Sequence, residues 1–419
     1  MLDIRLIREK PEEVRAALAK RGETAAIDEL LKLDEQRRAA LREAEDLKAR
    51  RNALSKQMAD PAQRTPSLRE ETRVIGDRIK ELDGVAADLE ARLNERLLYL
   101  PNLPDPGVPV GATSEDNKVV RVEGQQKQFP FTPQPHWDLG PKLGIIDFDR
   151  GTRLSGSRFY VLEGKGAKLQ RALIQWMLDL HVEQHGYTEV YPPFMVTADV
   201  LRASGQLPKF ADNLYHDAEE DFWFIPTAEV PLTSMHRGEI LDAAQLPINY
   251  VAYTPCFRRE KMSAGRDVRG IKRGHQFDKV ELYKFVEPET HMHELENLLH
   301  DAEDIPRRLG LTYRIVELCT GDLGAAAAKS FDIEVWAPGC QEWLEVSSCS
   351  TTADFQARRA NIRYRPADGK GTRFVNTLNG SGTALPRIMI AVMETYQNAD
   401  GSIDVPEALQ KYTGWGKVG

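Results

Sequence analysis

The chain has 419 residues, a formal net charge of −8 at pH 7 and 41% hydrophobic residues. This length allows two or three domains, and no apolar run approaches the roughly 18 residues of a membrane span. The four cysteines lie far apart without a CxxC pair, so we expect neither a zinc or redox site nor a disulfide framework. The first residues include acidic side chains and lack an apolar signal core, which favours a location in the reducing cytoplasm.

Two heptad repeats follow a short helical lead-in at residues 1–26. Apolar residues recur in alternating steps of three and four from Leu30 to Met58 and again from Leu68 to Leu93. A break that contains Pro61 separates the two repeats. The pattern predicts an antiparallel helical hairpin within an N-terminal arm, residues 1–98.

Basic residues gather toward the predicted tip of this hairpin. Such a tip suits a phosphate backbone, although Asp60, Glu70 and Glu71 lie among the bases. A solvated coiled coil that serves dimerisation or spacing is the alternative interpretation. The candidate tRNA-binding residues are Arg50, Arg51, Lys56, Arg64, Arg69 and Arg73.

Residues 99–118 contain four prolines and are predicted to form a semi-rigid linker between the arm and a domain at 119–419. In that domain, short strand-like runs are mostly separated by turns, which predicts an α+β fold on a mainly antiparallel sheet flanked by helices. No GxxxxGK[ST] run occurs in the sequence, and no GxGxxG opens a helix. A nucleotide would therefore be bound by side chains on a sheet rather than by a glycine-rich loop.

The stretch from Cys256 to Phe285 predicts a strand, a charged loop and a second strand. Alternation along a strand places Arg258 and Glu260 on one face, and Phe277, Lys279 and Glu281 on one face of the second strand. Charges on such a surface are costly unless a charged, planar ligand meets them. An exposed hairpin with ordinary surface ion pairs is the alternative. The basic residues of the loop are Lys261, Arg266, Arg269, Lys272 and Arg273.

Three stretches, in this order, resemble the motifs of the class II aminoacyl-tRNA synthetases. They are the run 186–195 with Pro193, the run Phe257–Glu260, and the run Asn379–Arg387 ahead of an apolar helix. Finer matches at 227–229, 263–281, 345–350 and 354–359, with the helical hairpin before them, resemble the seryl-tRNA synthetases over essentially the whole chain.

This resemblance implies a two-step reaction. Serine would attack the α-phosphate of ATP to give seryl-adenylate and pyrophosphate, and the terminal ribose of tRNA(Ser) would then accept the seryl group. The resemblance also implies a cytoplasmic homodimer with motif 1 at its interface, Mg²⁺ bound with ATP, and tRNA(Sec) as a further substrate.

The resemblance assigns catalytic roles to Arg258, Arg387 and Glu345, and metal ligation to Glu345 and Ser348. Because Glu345 and Ser348 have opposite strand parity, the strand must end or bulge between them. The implied ATP-binding residues are Arg258, Arg259, Glu260, Arg273, Gly274, Phe277, Glu345, Val346, Ser347, Ser348 and Arg387. The implied serine-binding residues are Thr227, Ala228, Glu229, Arg258, Glu281, Asn379 and Ser381.

Some residues depart from the family pattern. Small residues are expected after Glu260, a β-branched residue before His275, asparagine after Ser350 and glycine before Arg387. The residues at these places are Lys261, Met262, Gly274, Thr351 and Pro386.

Two other functions remain open on sequence grounds. A synthetase-like ligase that loads a carrier protein would lack the long hairpin, so residues 28–98 count against it. A catalytically inactive scaffold would not need Arg258, Glu260 and Arg387, which are all present.

Overall fold

The computed structural model describes residues 1–61, 64–261 and 269–419. They form two compact units, Leu2–Pro101 and Asn102–Gly419, and Met1 belongs to the second unit. The predicted loop arginine Arg266 and the departure at Met262 lie outside the described residues. Within these ranges, no helix combines the length and the apolar composition that a membrane-spanning segment requires.

The described part of the N-terminal unit contains two short helices and two long ones. These are α1 (Ile4–Glu9), α2 (Pro11–Lys20), α3 (Ile27–Ala59) and α4 (Pro66–Leu97). Helix α4 begins at a cap, because Thr65 Oγ1 accepts a hydrogen bond from the Leu68 N–H at 3.2 Å. The predicted helical hairpin is confirmed, with the helices running antiparallel and joined by ion pairs such as Lys48–Asp83.

The heptad residues form the seam between α3 and α4. Arg37 lies at a seam position, and its guanidinium reaches Glu90 on α4 at 3.6 Å, which explains how the seam accommodates an arginine. The buried apolar residues of the seam are Leu30, Leu33, Ala40, Ala44, Ile75, Ile79, Leu82, Ala86, Leu89 and Leu93.

Asp34 is a buried carboxylate that ties α1 to α3. It accepts hydrogen bonds from Arg8 at 2.9 Å, from Arg37 at 3.1 Å and from Arg38 at 2.9 Å. Burial alone would raise the pKa of Asp34, but the three guanidinium groups outweigh it and lower this pKa below its ordinary value.

We expect Asp34→Asn to destabilise the N-terminal unit by roughly 1–3 kcal/mol at pH 7, because it removes hydrogen bonds to charged groups. Asp34 has a lowered pKa in the folded state, so its contribution is present above the unfolded pKa of about 4 and is lost as pH falls through the folded value. Thermal unfolding followed by circular dichroism at pH 7 and pH 3 measures the difference. The exposed Asp88→Asn is the matched control, and an equal shift in both variants would contradict the assignment.

The second unit is built on an eight-stranded sheet. The strands of the unit are β1 (Lys118–Glu123), β2 (Ile146–Asp147), β3 (Val161–Leu162), β4 (Thr188–Glu189), β5 (Met195–Val196), β6 (Trp223–Phe224), β7 (Ile240–Asp242), β8 (Ile248–Phe257), β9 (Gln276–Val286), β10 (Tyr313–Glu317), β11 (Lys329–Ala337), β12 (Glu342–Ala353), β13 (Arg363–Arg365), β14 (Arg373–Phe374), β15 (Asn376–Ala384), β16 (Ile403–Asp404) and β17 (Lys417–Val418). The order in the large sheet is β1-β10-β11-β12-β15-β9-β8-β4. Its pairs are antiparallel apart from β4 and β8, so the predicted antiparallel sheet is confirmed.

Helices cover the sheet and complete its core. The helices of this unit are α5 (His136–Lys142), α6 (Phe148–Ser155), α7 (Lys165–Glu183), α8 (Ala198–Ser204), α9 (Glu229–Thr233), α10 (His291–Arg308), α11 (Phe355–Ala360), α12 (Leu385–Thr395) and α13 (Glu407–Thr413). The apolar stripe of α7, including Leu173 and Met177, packs in the same buried cluster as Leu282 of β9 and Ile388 of α12. The strand faces that carry Val280 and Leu282 are therefore sealed, which leaves the opposite face for a site.

The proline-rich segment is bound more closely to the second unit than a linker would be. The N–H of Asn102 donates to Ala325 O at 2.8 Å, and its side chain donates to Thr352 O at 2.8 Å. Val108 is buried with Leu318 and neighbouring residues. The sequence did not show this, because the bonds pair the segment with residues more than 200 positions away. The domain limits 1–98, 99–118 and 119–419 remain predictions.

Candidate active site

A cavity of about 330 Å³ opens on the uncovered face of the sheet. It is lined by residues of β9, β12 and β15, by the residues that follow β8 and precede β9, and by the first turn of α12. The predicted residues that the structure brings together on its wall are Thr227, Glu229, Arg258, Glu260, Arg273, Gly274, Phe277, Glu281, Glu345, Val346, Ser348, Asn379, Ser381 and Arg387.

Arg258 lies on the aromatic ring of Phe277. Its guanidinium carbon is 5.0 Å from the ring centroid, and its Nε donates a hydrogen bond to Pro226 O at 3.1 Å. The backbone beneath is fixed, since the Arg258 N–H donates to His275 O at 2.8 Å and His275 Nδ1 donates to Arg258 O at 3.0 Å. The wall thus presents a planar cation and a ring in a defined orientation.

Glu260 and Arg273 face each other at the rim of the cavity. The Glu260 carboxylate is 3.8 Å from the Arg273 guanidinium. Glu260 has φ +51, a left-handed conformation that is uncommon for residues other than glycine, and Arg158 donates to its carbonyl at 3.3 Å. A Cβ at Gly274 would approach Gln276 O to 2.9 Å, which explains glycine where a β-branched residue was expected.

A β-bulge in β12 resolves the parity problem posed by Glu345 and Ser348. Ser348 pairs with Asp332 and Glu345 pairs with Glu334, so the two residues face positions only two apart on β11. Val346 is the extra residue on β12. The carboxylate and the hydroxyl consequently share the cavity face despite their odd spacing.

This part of the wall could hold a divalent cation. One oxygen of Asp332 is buried and has no hydrogen-bond partner among the described residues. Burial, followed by the Glu345 carboxylate, raises the pKa of Asp332 well above its ordinary value. An orphan carboxylate oxygen next to Glu345 and Ser348 fits the oxygen ligands that Mg²⁺ prefers. Arg387, at the start of α12, contacts the Glu345 carboxylate at 3.3 Å.

A compact polar network forms another part of the cavity wall. Lys279 forms an ion pair with Glu281 and donates to Thr227 Oγ1 at 2.7 Å, while Thr227 Oγ1 donates to Glu281 at 3.2 Å. All three residues are at least nine-tenths buried. Ser381 on β15 lies directly opposite Glu281 on β9. The network places a buried carboxylate beside hydroxyl groups.

Glu229 lies next to this network and receives a hydrogen bond from Gln356 Nε2 at 2.6 Å. Burial, followed by the nearby Glu281 carboxylate, raises the pKa of Glu229 to about 7. The side chain is therefore poised to lose a proton when a cation approaches.

Sequence comparisons agree with this geometry. A model of the Seryl-tRNA synthetase N-terminal domain matches residues 1–104, and a model of the tRNA synthetase class II core domain (G, H, P, S and T) matches residues 210–396. The chain is 61% identical to the serine–tRNA ligase of Roseiflexus sp. (strain RS-1) over 418 residues, which cover 99% of this chain and 98% of that protein. It is 58% identical to the serine–tRNA ligase of Chloroflexus aurantiacus (strain ATCC 29366 / DSM 635 / J-10-fl) over 99% of this chain and 98% of that protein.

This chain belongs to the seryl-tRNA synthetase family. A solved relative is the seryl-tRNA synthetase from Pyrococcus horikoshii complexed with ATP, with 39% identity, a TM-score of 0.93 and coverage of 100% of this chain and 99% of that chain. The resemblance inferred from the three motifs is confirmed.

Three of the predicted residues do not line the cavity of this synthetase. Arg259 is exposed and lies just beyond the end of β8 at Phe257. Ala228 is buried in a small apolar cluster. The Ser347 hydroxyl donates to Ser381 O at 2.6 Å and is buried.

Sequence reasoning missed several residues of this synthetase site. Strand alternation placed Lys279 on the correct face. Its ion pair with Glu281 and its hydrogen bond to Thr227 were not predicted. Gln356 could not be found, because it lies 127 residues from Glu229 in the chain and no local pattern links them. Gln206, Lys272 and Ser350 also line the cavity without a role assigned from sequence.

We expect Glu229→Gln to stabilise the protein relative to the wild type increasingly as pH rises from 5 to 8. The pKa of Glu229 is about 7 in the folded state and about 4.3 in the unfolded state, so ionisation of Glu229 lowers the stability of the wild type as pH rises. The glutamine amide does not ionise, so the variant does not lose this stability. The gain at pH 8 is roughly 3–4 kcal/mol. Melting temperatures across this range measure it, with the exposed Glu219→Gln as the control. A pH-independent difference would show that Glu229 does not titrate there.

Proposed function

We propose that this protein is a serine–tRNA ligase that works in two steps. In the first, the serine carboxylate attacks the α-phosphate of ATP, forming seryl-adenylate and releasing pyrophosphate. In the second, the 3′-terminal ribose hydroxyl of tRNA(Ser) takes the seryl group. The observation that carries this proposal is a single cavity on an open sheet face, lined both by the Arg258–Phe277 pair and by the Lys279–Glu281–Thr227 network.

The side chains of Arg258 and Phe277 suit a nucleotide. Phe277 would stack on adenine and Glu260 would accept a hydrogen bond from its amino group. Arg258 would bind the α-phosphate bidentately, and the charge that develops there in the transition state strengthens this contact. Arg387 would bind the γ-phosphate, with Arg273 as a further phosphate ligand. The catalytic contribution is alignment and charge neutralisation rather than proton transfer.

Glu345 and Ser348 would hold Mg²⁺, with the buried Asp332 oxygen beside them. The ion would neutralise phosphate charge when ATP is bound. Arg387 contacts the Glu345 carboxylate, so its guanidinium lies beside one of the groups proposed to hold the ion.

The side chains around Glu229 and Glu281 suit serine. Glu229 would attract the serine ammonium, and that cation would lower the pKa of the carboxyl again. Thr227, Glu281 and Ser381 offer buried hydrogen-bond partners for the serine hydroxyl, with Asn379 beside them on β15. Such partners disfavour alanine by a factor of about 10⁴, because alanine would leave them unpaired.

The transfer step would use an adjoining cavity of about 460 Å³. It shares Arg258, Thr227 and Glu229 with the first cavity, so a ribose hydroxyl that enters there would meet the carbonyl of the adenylate. The N-terminal arm, residues 1–98, would bind the tRNA backbone through the basic residues near its tip.

The proposal includes a homodimer, tRNA(Sec) as a second acceptor, and a cytoplasmic location, where protein synthesis takes place. The dimer is supported by exposed apolar side chains next to the predicted motif 1 contact at Pro193. Tyr191 is 80% exposed and Met195 is 52% exposed, and Met195 pairs across β5 and β6 with the exposed Phe224. Such a patch is typical of an interaction surface.

We expect Arg258→Ala to lower serine-dependent exchange of pyrophosphate into ATP by about 10²-fold or more, because it removes the charge opposite the α-phosphate. Arg259→Ala is the matched control. It removes the same charge from the neighbouring residue, whose side chain is exposed and does not line the cavity. Exchange assays at saturating serine compare the two. Similar losses in both variants would refute the specific role of Arg258.

We expect tRNA charging to depend on those arm cations that form no ion pair within the described residues. Lys56 and Arg69 are exposed and form no ion pair with any described residue, whereas Arg50 pairs with Glu71 and Arg73 pairs with Glu70 and Asp77. The double variant Lys56→Ala/Arg69→Ala should lower kcat/KM for tRNA about tenfold and reduce its salt dependence.

The matched double variant Arg50→Ala/Arg73→Ala should lose less, because its charges are already neutralised. Pyrophosphate exchange should stay unchanged in both. If neither double variant affects charging at any salt concentration, the tip does not bind tRNA.

A further inference from the structure

A buried hydrogen-bond hub centres on the Glu394 carboxylate of α12. Its Oε1 accepts from the N–H of His136 and from His136 Nδ1, each at 2.9 Å, and from the Cys340 thiol at 3.0 Å. Its Oε2 accepts from the N–H groups of Gly339 and Cys340, each at 2.9 Å. Burial alone would raise the pKa of Glu394, but these donors outweigh it and lower this pKa. Glu394 therefore stays ionised and holds α5 and the β11–β12 turn on α12.

The other nitrogen of His136 faces the nucleotide-binding hairpin. The N–H of Ile271 donates to His136 Nε2 at 3.1 Å. Because Nε2 accepts, the ring proton lies on Nδ1, where it donates to Glu394. Ile271 lines the cavity and precedes Arg273 by two residues. A backbone segment of the ATP site is thus bound directly to a fully buried imidazole.

Trp137, the next residue on α5, contacts the same segment. The Arg269 guanidinium carbon is 4.6 Å and the Lys272 ammonium 5.1 Å from a Trp137 ring centroid. Lys272 also forms an ion pair with Glu342 at the start of β12. Three independent contacts therefore hold the residues that lead into β9.

The hub joins three elements that each carry a phosphate-site residue. Arg273 lies on the segment that His136 holds. Arg387 lies two turns before Glu394 on α12. Glu345 follows the β11–β12 turn, whose N–H groups donate to the Glu394 carboxylate. A shift at His136 would change the position of Arg273 relative to the other two. Small displacements of charge-bearing groups cost large factors in rate and affinity.

A metal site is the competing interpretation, since one ligand atom from each of His136, Cys340 and Glu394 lies within 4.8 Å of the others. The thiol donates to Glu394, burial raises its pKa, and the imidazole nitrogens are both engaged in hydrogen bonds. The atoms that could bind a metal ion all form hydrogen bonds within the protein, which favours the hydrogen-bond hub over a metal site.

We propose that His136 and Trp137 are positioning residues for ATP, which set Arg273 against Arg387 and Glu345 by holding the backbone at Ile271. This rests on the proposed serine–tRNA ligase activity. Neither residue lines the cavity, so their effect on the nucleotide is exerted through the Ile271–Arg273 segment.

The pair His136→Asn and His136→Gln separates the two contacts of the imidazole. Asparagine places an amide near Nδ1 and can still bind Glu394, but it cannot reach Ile271. Glutamine extends to the position of Nε2, and its carbonyl can accept from the Ile271 N–H. We expect His136→Asn to raise KM for ATP about tenfold in pyrophosphate exchange, with KM for serine within about twofold of wild type. His136→Gln should remain close to wild type in both.

A purely structural role predicts that both His136 variants lower the melting temperature and the active fraction alike, with unchanged KM values, and that result would overturn the proposal. If either variant fails to fold, the pair Trp137→Leu and Trp137→Phe decides. The leucine variant should raise KM for ATP and the phenylalanine variant should not, whereas equal values in both would overturn the proposal. A wild type without serine-dependent exchange would instead refute the proposed function.

Discussion

The burial of opposite charges on one face of a β-sheet is the constraint on which the site depends. Lys279 and Glu281 are almost fully buried, and an isolated charge there would be costly. They lie two residues apart on β9, pair with each other and share Thr227. Val280 and Leu282, which alternate with them, are completely buried in the main core. A single strand therefore contributes both to the stability of the unit and to its ligand chemistry.

This arrangement couples the site to the packing behind it. Helices α7 and α12 cover the apolar face of β9, and the first turn of α12 also carries Arg387 at the cavity. The residues that line the cavity are consequently held by strands and by a helix terminus more than by loops. Such a scaffold suits a reaction in which alignment and electrostatic complementarity provide the rate enhancement.

The parts of the protein that sequence could predict are those with local periodicity. The heptads from Leu30 to Leu93 specified the helical hairpin, and strand alternation placed Phe277, Lys279 and Glu281 on one face. Contacts between distant segments were beyond such reasoning. Gln356 reaches Glu229, and Asn102 is bonded to Ala325, only because the fold brings them together.

Other residues have contacts that sequence could not show, or were overlooked, for the same reason. Ser347 was expected to bind ATP, yet its hydroxyl is used by Ser381 O, which no pattern in the chain indicates. No role was predicted for the His136 imidazole, because no sequence pattern distinguishes a single histidine at the start of a short helix. The resemblance to known synthetases supplied the chemistry of the cavity, but the supporting hydrogen bonds became visible only in three dimensions.

The extra residue in β12 has a consequence for how this part of the chain can evolve. Glu345 and Ser348 share a face because one unpaired residue, Val346, lies between them. Deleting that residue would leave the two side chains two positions apart on a regular strand, still on the same face. Regular pairing of Val346 with β11 without any deletion would instead turn one of them toward the apolar interior. The strand can therefore lose this one residue without separating the pair, but it cannot lose the bulge alone.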